Sequence, residues 1–371
     1  MKVLITGADG FIGKNLQLHL AQRNDVEVVC FTRQNDVVDI ESFLQDVDFV
    51  FHLAGVNRPK KTQEFSTGNV DLTQSLTTAI LESGRDIPLV FTSSIQASLD
   101  NDYGRSKRKA EDLIFELSHR LGIPAHVFRL PNVFGKWCKP NYNSVVATFC
   151  HNIARDLPIE VNDTSSPLKL VYVDDIIERF LLLMDGSGKM LDEDGFEAIS
   201  PCYQTTLGEL AGQIKSFRES RSSLVTERVG TGLVRALHST YLSYLPADSF
   251  TYEVKQHADS RGVFVEMLKT PDCGQFSYFT AHPGITRGGH FHHSKTEKFL
   301  VIKGNACFKF RHMQTGETYE IIVNSKQAKI VETIPGWTHD ITNIGNDELL
   351  VMLWANEVFD SAKPDTFACA L

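Results

Sequence analysis

Lys2-Val-Leu-Ile-Thr6-Gly7-Ala-Asp-Gly10-Phe11-Ile12-Gly13 opens the chain, and its reading decides the fold of everything up to about residue 245. A short apolar run of this kind is consistent with a buried parallel strand. The three glycines allow a tight turn, close approach of backbone to a pyrophosphate, and close packing of helix on strand. A helix predicted from about Gly10 to Arg23 then offers its N-terminal amides to phosphate. The glycine spacing carries weight because it stands between a strand pattern and a helix pattern. Gly7, Gly10, Phe11, Ile12 and Gly13 are therefore candidate dinucleotide-binding positions.

Outward from that stretch, Val26–Phe31 reads as the next strand and runs into Thr32-Arg33. An NAD site usually places an acid here for the ribose diol, whereas an arginine accommodates a 2′-phosphate, so Arg33 points to NADPH. Val47–Leu53 reads as the fourth strand of the half. It leads into His52-Leu53-Ala54-Gly55, where small residues let backbone pass near a cofactor, and Leu53 and Ala54 join the candidates.

Pro88–Phe91 is a predicted strand ending in Thr92-Ser93-Ser94, and Tyr103-Gly-Arg-Ser-Lys107 follows nine residues past Ser94. Tyr103 and Lys107 share a helical face. An ammonium beside a phenol favours the ionised form and lowers its pKa from about 10. Tyr103 could then exchange a proton with an alcohol or ketone, with Ser94 or Ser93 holding the oxygen. His126–Leu130 is a further strand, and Asn132 just beyond it faces the crevice where ligands of such sheets bind.

The length of 371 residues suggests two domains, and a net charge of -9 argues against nucleic acid or an anionic membrane as the main partner. The seven cysteines form no CxxC pair, no apolar run would span a bilayer, and a strand at residue 2 leaves no room for a signal peptide. A cytoplasmic protein is expected.

The break falls at Pro246-Ala-Asp-Ser, giving segments 1–245 and 246–371. Beyond it come short apolar or alternating runs at 263–268, 275–280, 297–303, 306–311, 318–323, 329–334 and 349–359, which predict a small antiparallel β-sandwich or barrel. This segment holds seven of the 13 histidines, four of them between 282 and 293. In Gly284-Ile-Thr-Arg-Gly-Gly-His290-Phe-His292-His-Ser-Lys-Thr-Glu297, extended backbone puts His290 and His292 on one face and turns His293 away. Together with Glu297 and His339, they supply three imidazoles and a carboxylate, a set that suits zinc.

Residues 1–245 resemble the extended short-chain dehydrogenase/reductase family, in its nucleotide-sugar branch. The likeness lies in Thr6-Gly7-x-x-Gly10-x-x-Gly13, His52-x-Ala54-Gly55, Thr92-Ser93-Ser94, Tyr103-x-x-x-Lys107 and Arg129-x-x-Asn132-Val133-Phe134-Gly135. It implies a doubly wound Rossmann-like parallel sheet that binds NADP(H) through Gly7, Gly10, Phe11, Ile12, Gly13, Arg33, Leu53, Ala54 and Lys107. It also implies Ser94, Tyr103 and Lys107 as the catalytic set, with Ser94, Arg129 and Asn132 touching substrate. Only eight residues separate Ser94 from Tyr103, fewer than in the family's sugar epimerases and dehydratases.

Residues 246–371 look like a cupin, an all-β jelly roll. Gly284-x5-His290-x-His292-x4-Glu297-x6-Gly304 fits the family's first motif, and Pro335-Gly336-x2-His339-x3-Asn343 fits most of the second. The likeness assigns His290, His292, Glu297 and His339 to one zinc ion.

Both halves in this order resemble the bifunctional capsular polysaccharide synthesis enzymes of the UDP-N-acetyl-L-fucosamine pathway. The resemblance implies a homodimer acting on a UDP-linked 2-acetamido-2,6-dideoxy-4-hexulose. The cupin would epimerise C3, and the reductase would then reduce the C4 ketone with NADPH. The alternative is a 4-ketosugar reductase whose cupin is a structural or sugar-binding dimerisation module. His293, Lys295, His282 and Glu266 are the candidates for proton transfer in the cupin.

Overall fold

A strand of unbroken apolar residues must be covered on both faces, and in β1 (Lys2–Thr6) Val3, Leu4 and Ile5 are completely buried. The computed structural model describes residues 1–371 except 60, 260–261, 266, 269, 271–273 and 358–361, and only the backbone at 256–259, 262–265 and 275. Packing divides the chain into two units. Unit 1 is Met1–Phe134, Tyr142–Ser144 and Leu168–Gln204; unit 2 is Gly135–Asn141, Val145–Pro167 and Thr205–Leu371.

In unit 1, β1 joins β2 (Glu27–Phe31), β3 (Phe49–His52), β4 (Leu89–Ser94) and β5 (Ala125–Leu130) in a parallel sheet of order β2-β1-β3-β4-β5. The order reverses between β1 and β3, the switch point outside which such sheets bind ligands. The helices are α1 (Phe11–Leu20), α2 (Ile40–Phe43), α3 (Gln63–Phe65), α4 (Leu72–Ser83) and α5 (Asp102–Leu121). After α6 (Val145–Ile153) of unit 2 comes α7 (Val173–Met184).

One face of the sheet is covered by α4 and α5, with Leu76, Ile80, Ala110 and Ile114 packed on Leu4, Val50 and Leu89. The other carries α1 and α7, with Phe180 set against Phe51 and Phe128. Phe49–His52, expected as a fourth strand, is the third. Residues after β2 form a 3-10 turn (Val37–Asp39) and α2 instead of another strand. A three-stranded sheet of β6 (Asn132–Phe134), β7 (Pro167–Tyr172) and β8 (Tyr203–Thr206) follows.

Unit 2 takes in α6, α8 (Leu207–Ser223) and α9 (Gly232–Ser243), so packing groups three helices that precede residue 246 with the β-rich segment. Its strands are β9 (Thr251–Glu253), β10 (Gln256–Asp259), β11 (Gly262–Val265), β12 (Gln275–Ala281), β13 (Thr286–Phe291), β14 (Glu297–Lys303), β15 (Asn305–His312), β16 (Thr318–Asn324), β17 (Lys329–Glu332), β18 (Trp337–Asn343), β19 (Leu349–Ala355) and β20 (Phe367–Ala368). Two antiparallel sheets, β12-β19-β14-β17-β9 and β16-β15-β18-β13-β20, make the expected jelly-roll sandwich.

Alternate residues from both sheets meet inside. The ring of Phe299 on β14 lies 5.6 Å from that of Phe308 on β15 and 6.4 Å from that of His339 on β18. On the outer face of β14, Lys298 pairs in register with Glu332, and Arg221 of α8 binds the same carboxylate. Lys298 and Glu332 are both almost wholly buried, so the trio anchors α8 to the sheet. Removing one partner of such a pair costs about 3–5 kcal/mol.

Candidate functional sites

The glycine turn is shaped by contact. Gly7 has φ +70°, and a Cβ there would stand 2.7 Å from the backbone of Ala54. Only glycine lets the turn after β1 lie against the end of β3. The Gly7 N–H donates to Phe31 O at 2.9 Å, and the Gly10 N–H to Gly7 O at 2.8 Å. α1 starts at Phe11 with Gly10 as N-cap and no side-chain cap, which leaves its first amides for an anion.

Ala54 N–H donates to Thr6 Oγ1 at 3.3 Å, tying Leu53-Ala54 to the same turn. The Thr6 hydroxyl meets His52 Nδ1 at 2.7 Å, while His52 Nε2 meets Thr73 Oγ1 at 2.8 Å. Thr73 donates its own proton to Asn69 O, so it accepts from His52 Nε2–H, and Nδ1 accepts from Thr6. Burial holds this imidazole down at about 3, so it is neutral. Arg33 is exposed just past β2, in a turn where the Thr32 N–H donates to Asn35 Oδ1 at 2.8 Å.

The three residues expected to be catalytic, Ser94, Tyr103 and Lys107, sit on the end of β4 and the start of α5. Asn101 caps α5 by accepting from the Gly104 N–H at 2.7 Å. A Cβ on Gly104 would come within 2.5 Å of Gln96 O, so glycine allows the helix start to press on the preceding turn. This sets Tyr103 beside Phe65 and in hydrogen-bond contact with Ser94.

Burial raises the Tyr103 phenol and the Ser94 hydrogen bond pulls it back only partly. The expected lowering by Lys107 is therefore not what this arrangement shows. The Lys107 ammonium is buried and donates to Thr92 O at 2.9 Å. Burial lowers it to about 8, against an opposing pull from Glu111.

Two other expected residues are committed elsewhere. Ser93 donates to Glu111, whose carboxylate accepts both Nε (3.0 Å) and Nη2 (2.7 Å) of Arg129. The Arg129 guanidinium also lies 3.9 Å from the ring centroid of Phe196. Arg129, expected at the substrate, is thus a brace between β5 and α5, and the hydroxyl that meets Tyr103 is that of Ser94. Asn132 is exposed at the start of β6, with Nδ2 donating to Lys169 O at 3.3 Å.

Sequence reading missed Glu111 and Asn69, and gave the Thr92 carbonyl no role. Buried Asn69 bonds Val56 and Ser106 from a π-helical stretch, Ser66–Asp71, and so joins the 53–56 loop to α5. That local helix irregularity, of a kind frequent at functional sites, shows only in coordinates.

In unit 2, the donor atoms of His290, His292, Glu297 and His339 all lie within 4.8 Å of one another. A β-bulge aims the first. Gly288 and Gly289, at φ +99° and +70°, shift the β13–β18 register so that His290 stands opposite His339. His292 Nε2 is 3.0 Å and His339 Nε2 3.5 Å from Glu297 Oε2.

Burial raises the Glu297 carboxyl, but the imidazoles of His292 and His339 outweigh it and hold the group well below the usual range. Burial lowers His339, and burial with the neighbouring imidazoles lowers His290 to about 4. Neutral imidazole is the form that ligates a cation. Neither ring nitrogen of buried His339 makes a hydrogen bond among the described residues. Four converging donors, one of them an imidazole without a hydrogen bond among the described residues, fit a divalent cation.

Of the proton-transfer candidates, His293 packs against Phe291 and Phe367, His282 is exposed, and Glu266 lies outside the described residues. Lys295 is buried, with Nζ 3.9 Å from Glu297 Oε1.

Residues 3–192 match the model of the NAD dependent epimerase/dehydratase family. The chain belongs to that family. Residues 257–367 match the polysaccharide biosynthesis C-terminal domain. Over its whole length, covering 99% of the relative, the chain is 60% identical to UDP-2-acetamido-2,6-beta-L-arabino-hexul-4-ose reductase of Pseudomonas aeruginosa.

It is also similar to the solved structure of capsular polysaccharide assembling protein CapF from Staphylococcus aureus, at 40% identity and TM-score 0.68 with both chains fully covered. CapF with the inhibitor 3-isopropenyl-tropolone matches at 37% identity and TM-score 0.63, again over both whole chains. These likenesses bear out the resemblance to the capsular polysaccharide synthesis enzymes, and family membership brings a nicotinamide cofactor. No helix among the described residues is long and apolar enough to cross a membrane.

Proposed function

We propose that this chain carries out two successive steps on a UDP-linked 2-acetamido-2,6-dideoxy-4-hexulose. Segment 246–371 epimerises C3, and segment 1–245 then reduces the C4 ketone with NADPH. The product is UDP-2-acetamido-2,6-dideoxy-β-L-talose, a capsular polysaccharide precursor. The observation that carries the reading is the full-length likeness to a 4-hexulose reductase, joined to the Ser94–Tyr103 contact at the end of β4.

NADPH, when bound, supplies the hydride that C4 receives. Tyr103 donates the proton that the C4 oxygen takes up, so ketone becomes alcohol. Ser94 orients that oxygen, and Asn132 contacts the sugar. Lys107 holds the nicotinamide ribose, and the turn Gly7–Gly13 holds the pyrophosphate at the amides of α1, beside Leu53-Ala54. Arg33 supports the choice of NADPH, because an exposed guanidinium past β2 suits a 2′-phosphate.

For epimerisation, a C4 ketone acidifies the C3 proton, which a base can remove and return on the other face. Zinc, when held by His290, His292, Glu297 and His339, supplies a Lewis acid for the ketone oxygen. Reduction removes the ketone that made C3 labile and so fixes the new configuration, a reason to join both activities in one chain.

A homodimer is supported by edge strand β12, which exposes Phe276 and Tyr278 beside Met352 of β19. The scattered cysteines suit a cytoplasmic enzyme. A second reading rests on the four-ligand shell, which is typical of structural zinc. In that case the cupin only supports a reductase.

The deciding measurement is deuterium incorporation at C3 in heavy water, followed by NMR without NADPH. The native protein is compared with a His290→Ala variant shown to be folded. Incorporation by the native protein and not by the variant is expected. No incorporation by the native protein, with reduction still proceeding once NADPH is added, would leave only the reductase.

A further inference from the structure

The two reactions make no direct use of residues 365–371, yet this segment contacts His290 and His292 and residues next to Glu297 and His339. The Asp365 carbonyl accepts from His292 Nδ1 at 2.5 Å. A carbonyl only accepts, so Nδ1 carries a proton, and this contact fixes the ring with Nε2 turned to Glu297.

The Asp365 carboxylate accepts the backbone N–H of His293 at 2.8 Å, of Ser294 at 2.7 Å and of Lys295 at 2.6 Å, and the Ser294 hydroxyl at 3.0 Å. Three successive amides on one carboxylate fix the loop between His292 and Glu297. Thr366 Oγ1 accepts from Lys295 Nζ at 2.6 Å, and that ammonium stands 3.9 Å from Glu297 Oε1. β20 pairs with β13 at His290↔Ala368. The Thr338 hydroxyl, one residue before His339, donates to Cys369 O at 2.5 Å.

We infer that Asp365–Cys369 is an outer-shell clasp of the metal centre, with Asp365 as the positioning residue that sets zinc affinity by holding His292–Lys295. The inference rests on the zinc reading. Groups that orient metal ligands typically change affinity about 10–100-fold when altered.

The test uses the full-length protein, stripped of metal and titrated with zinc against a chelating dye, then loaded with Co(II) for its visible spectrum. Asp365→Asn has one carbonyl oxygen and an NH2 group, so it cannot accept from both the His293 side and the Ser294–Lys295 side. It is expected to bind zinc about 10–100-fold more weakly and to shift the Co(II) bands. Thr366→Val, which removes only the Lys295 partner, is expected to weaken zinc less.

A folded Asp365→Asn protein with native affinity and native Co(II) spectrum overturns the inference. If that variant does not fold, native zinc affinity in Thr366→Val overturns it. A native protein that takes up no zinc defeats the metal assignment itself, an outcome distinct from both.

Discussion

The proposed reductase site of unit 1 and the proposed metal site of unit 2 are built on opposite plans. Ser94, Tyr103 and Lys107 come from one strand end and the first turns of one helix. His290, Glu297 and His339 come from three strands in two sheets, and the loop carrying His292 is held by Asp365 near the other end of the domain. The first site follows from the helical repeat wherever α5 forms. The second exists only once the sandwich has closed. Electrostatics divide the same way. In unit 1 burial outweighs the pull of Glu111 on Lys107 and of Ser94 on Tyr103, whereas in unit 2 the neighbouring imidazoles outweigh the burial of Glu297.

The largest effect is expected at Tyr103. Tyr103→Phe keeps the ring beside Phe65 and removes the proton donor, so reduction should fall by about 10²–10⁴-fold. NADPH binding, followed by fluorescence titration, should persist. Reduction at the native rate would break the assignment of unit 1.

Next comes the contrast in buried charge. Glu332→Gln leaves Lys298 and Arg221 without their carboxylate and should destabilise unit 2 by about 3–5 kcal/mol. All three tryptophans, Trp137, Trp337 and Trp354, lie in unit 2, so fluorescence during urea unfolding reads that unit directly. An unchanged tryptophan transition would show that the trio contributes nothing net.

Acid stability sharpens the comparison, because each unit holds one fully buried neutral histidine lowered from 6.5 to about 3, His52 in unit 1 and His238 in unit 2. Above pH 6.5 both are neutral folded or unfolded, and their contribution is complete. As pH falls from about 6.5 towards 3, the unfolded chain takes up protons that the folded chain refuses. Stability then drops by up to about 1.4 kcal/mol per pH unit for each histidine, levelling below the folded value. His52→Gln should flatten the loss measured by circular dichroism over that window and leave the tryptophan-detected loss of unit 2 in place. Equal slopes in native and variant proteins would contradict the buried neutral state of His52.

The smallest effect concerns Arg33. Arg33→Ala should raise the KM for NADPH about tenfold, or about 1.4 kcal/mol, with little change for NADH. Steady-state kinetics with both cofactors decides it, and equal change for both would remove the 2′-phosphate contact.

The sequence by itself determined the parallel sheet, the glycine turn, the shared face of Tyr103 and Lys107, and which four His and Glu side chains cluster in the sandwich. These rest on short-range regularities: an apolar run, a turn that tolerates no Cβ, a repeat of four along a helix, an alternation along a strand. Tertiary structure alone decided that Arg129 braces Glu111, and that Ser93 joins that brace while Ser94 meets Tyr103. It also decided that burial governs Tyr103, that paired glycines bulge β13 to aim His290, and that Asp365 grips the loop after His292. Each depends on partners distant in the chain, 72 residues apart for His293 and Asp365. Local periodicity records which side chains a segment presents. What they meet is decided when strands and helices pack and every buried polar group must find a partner.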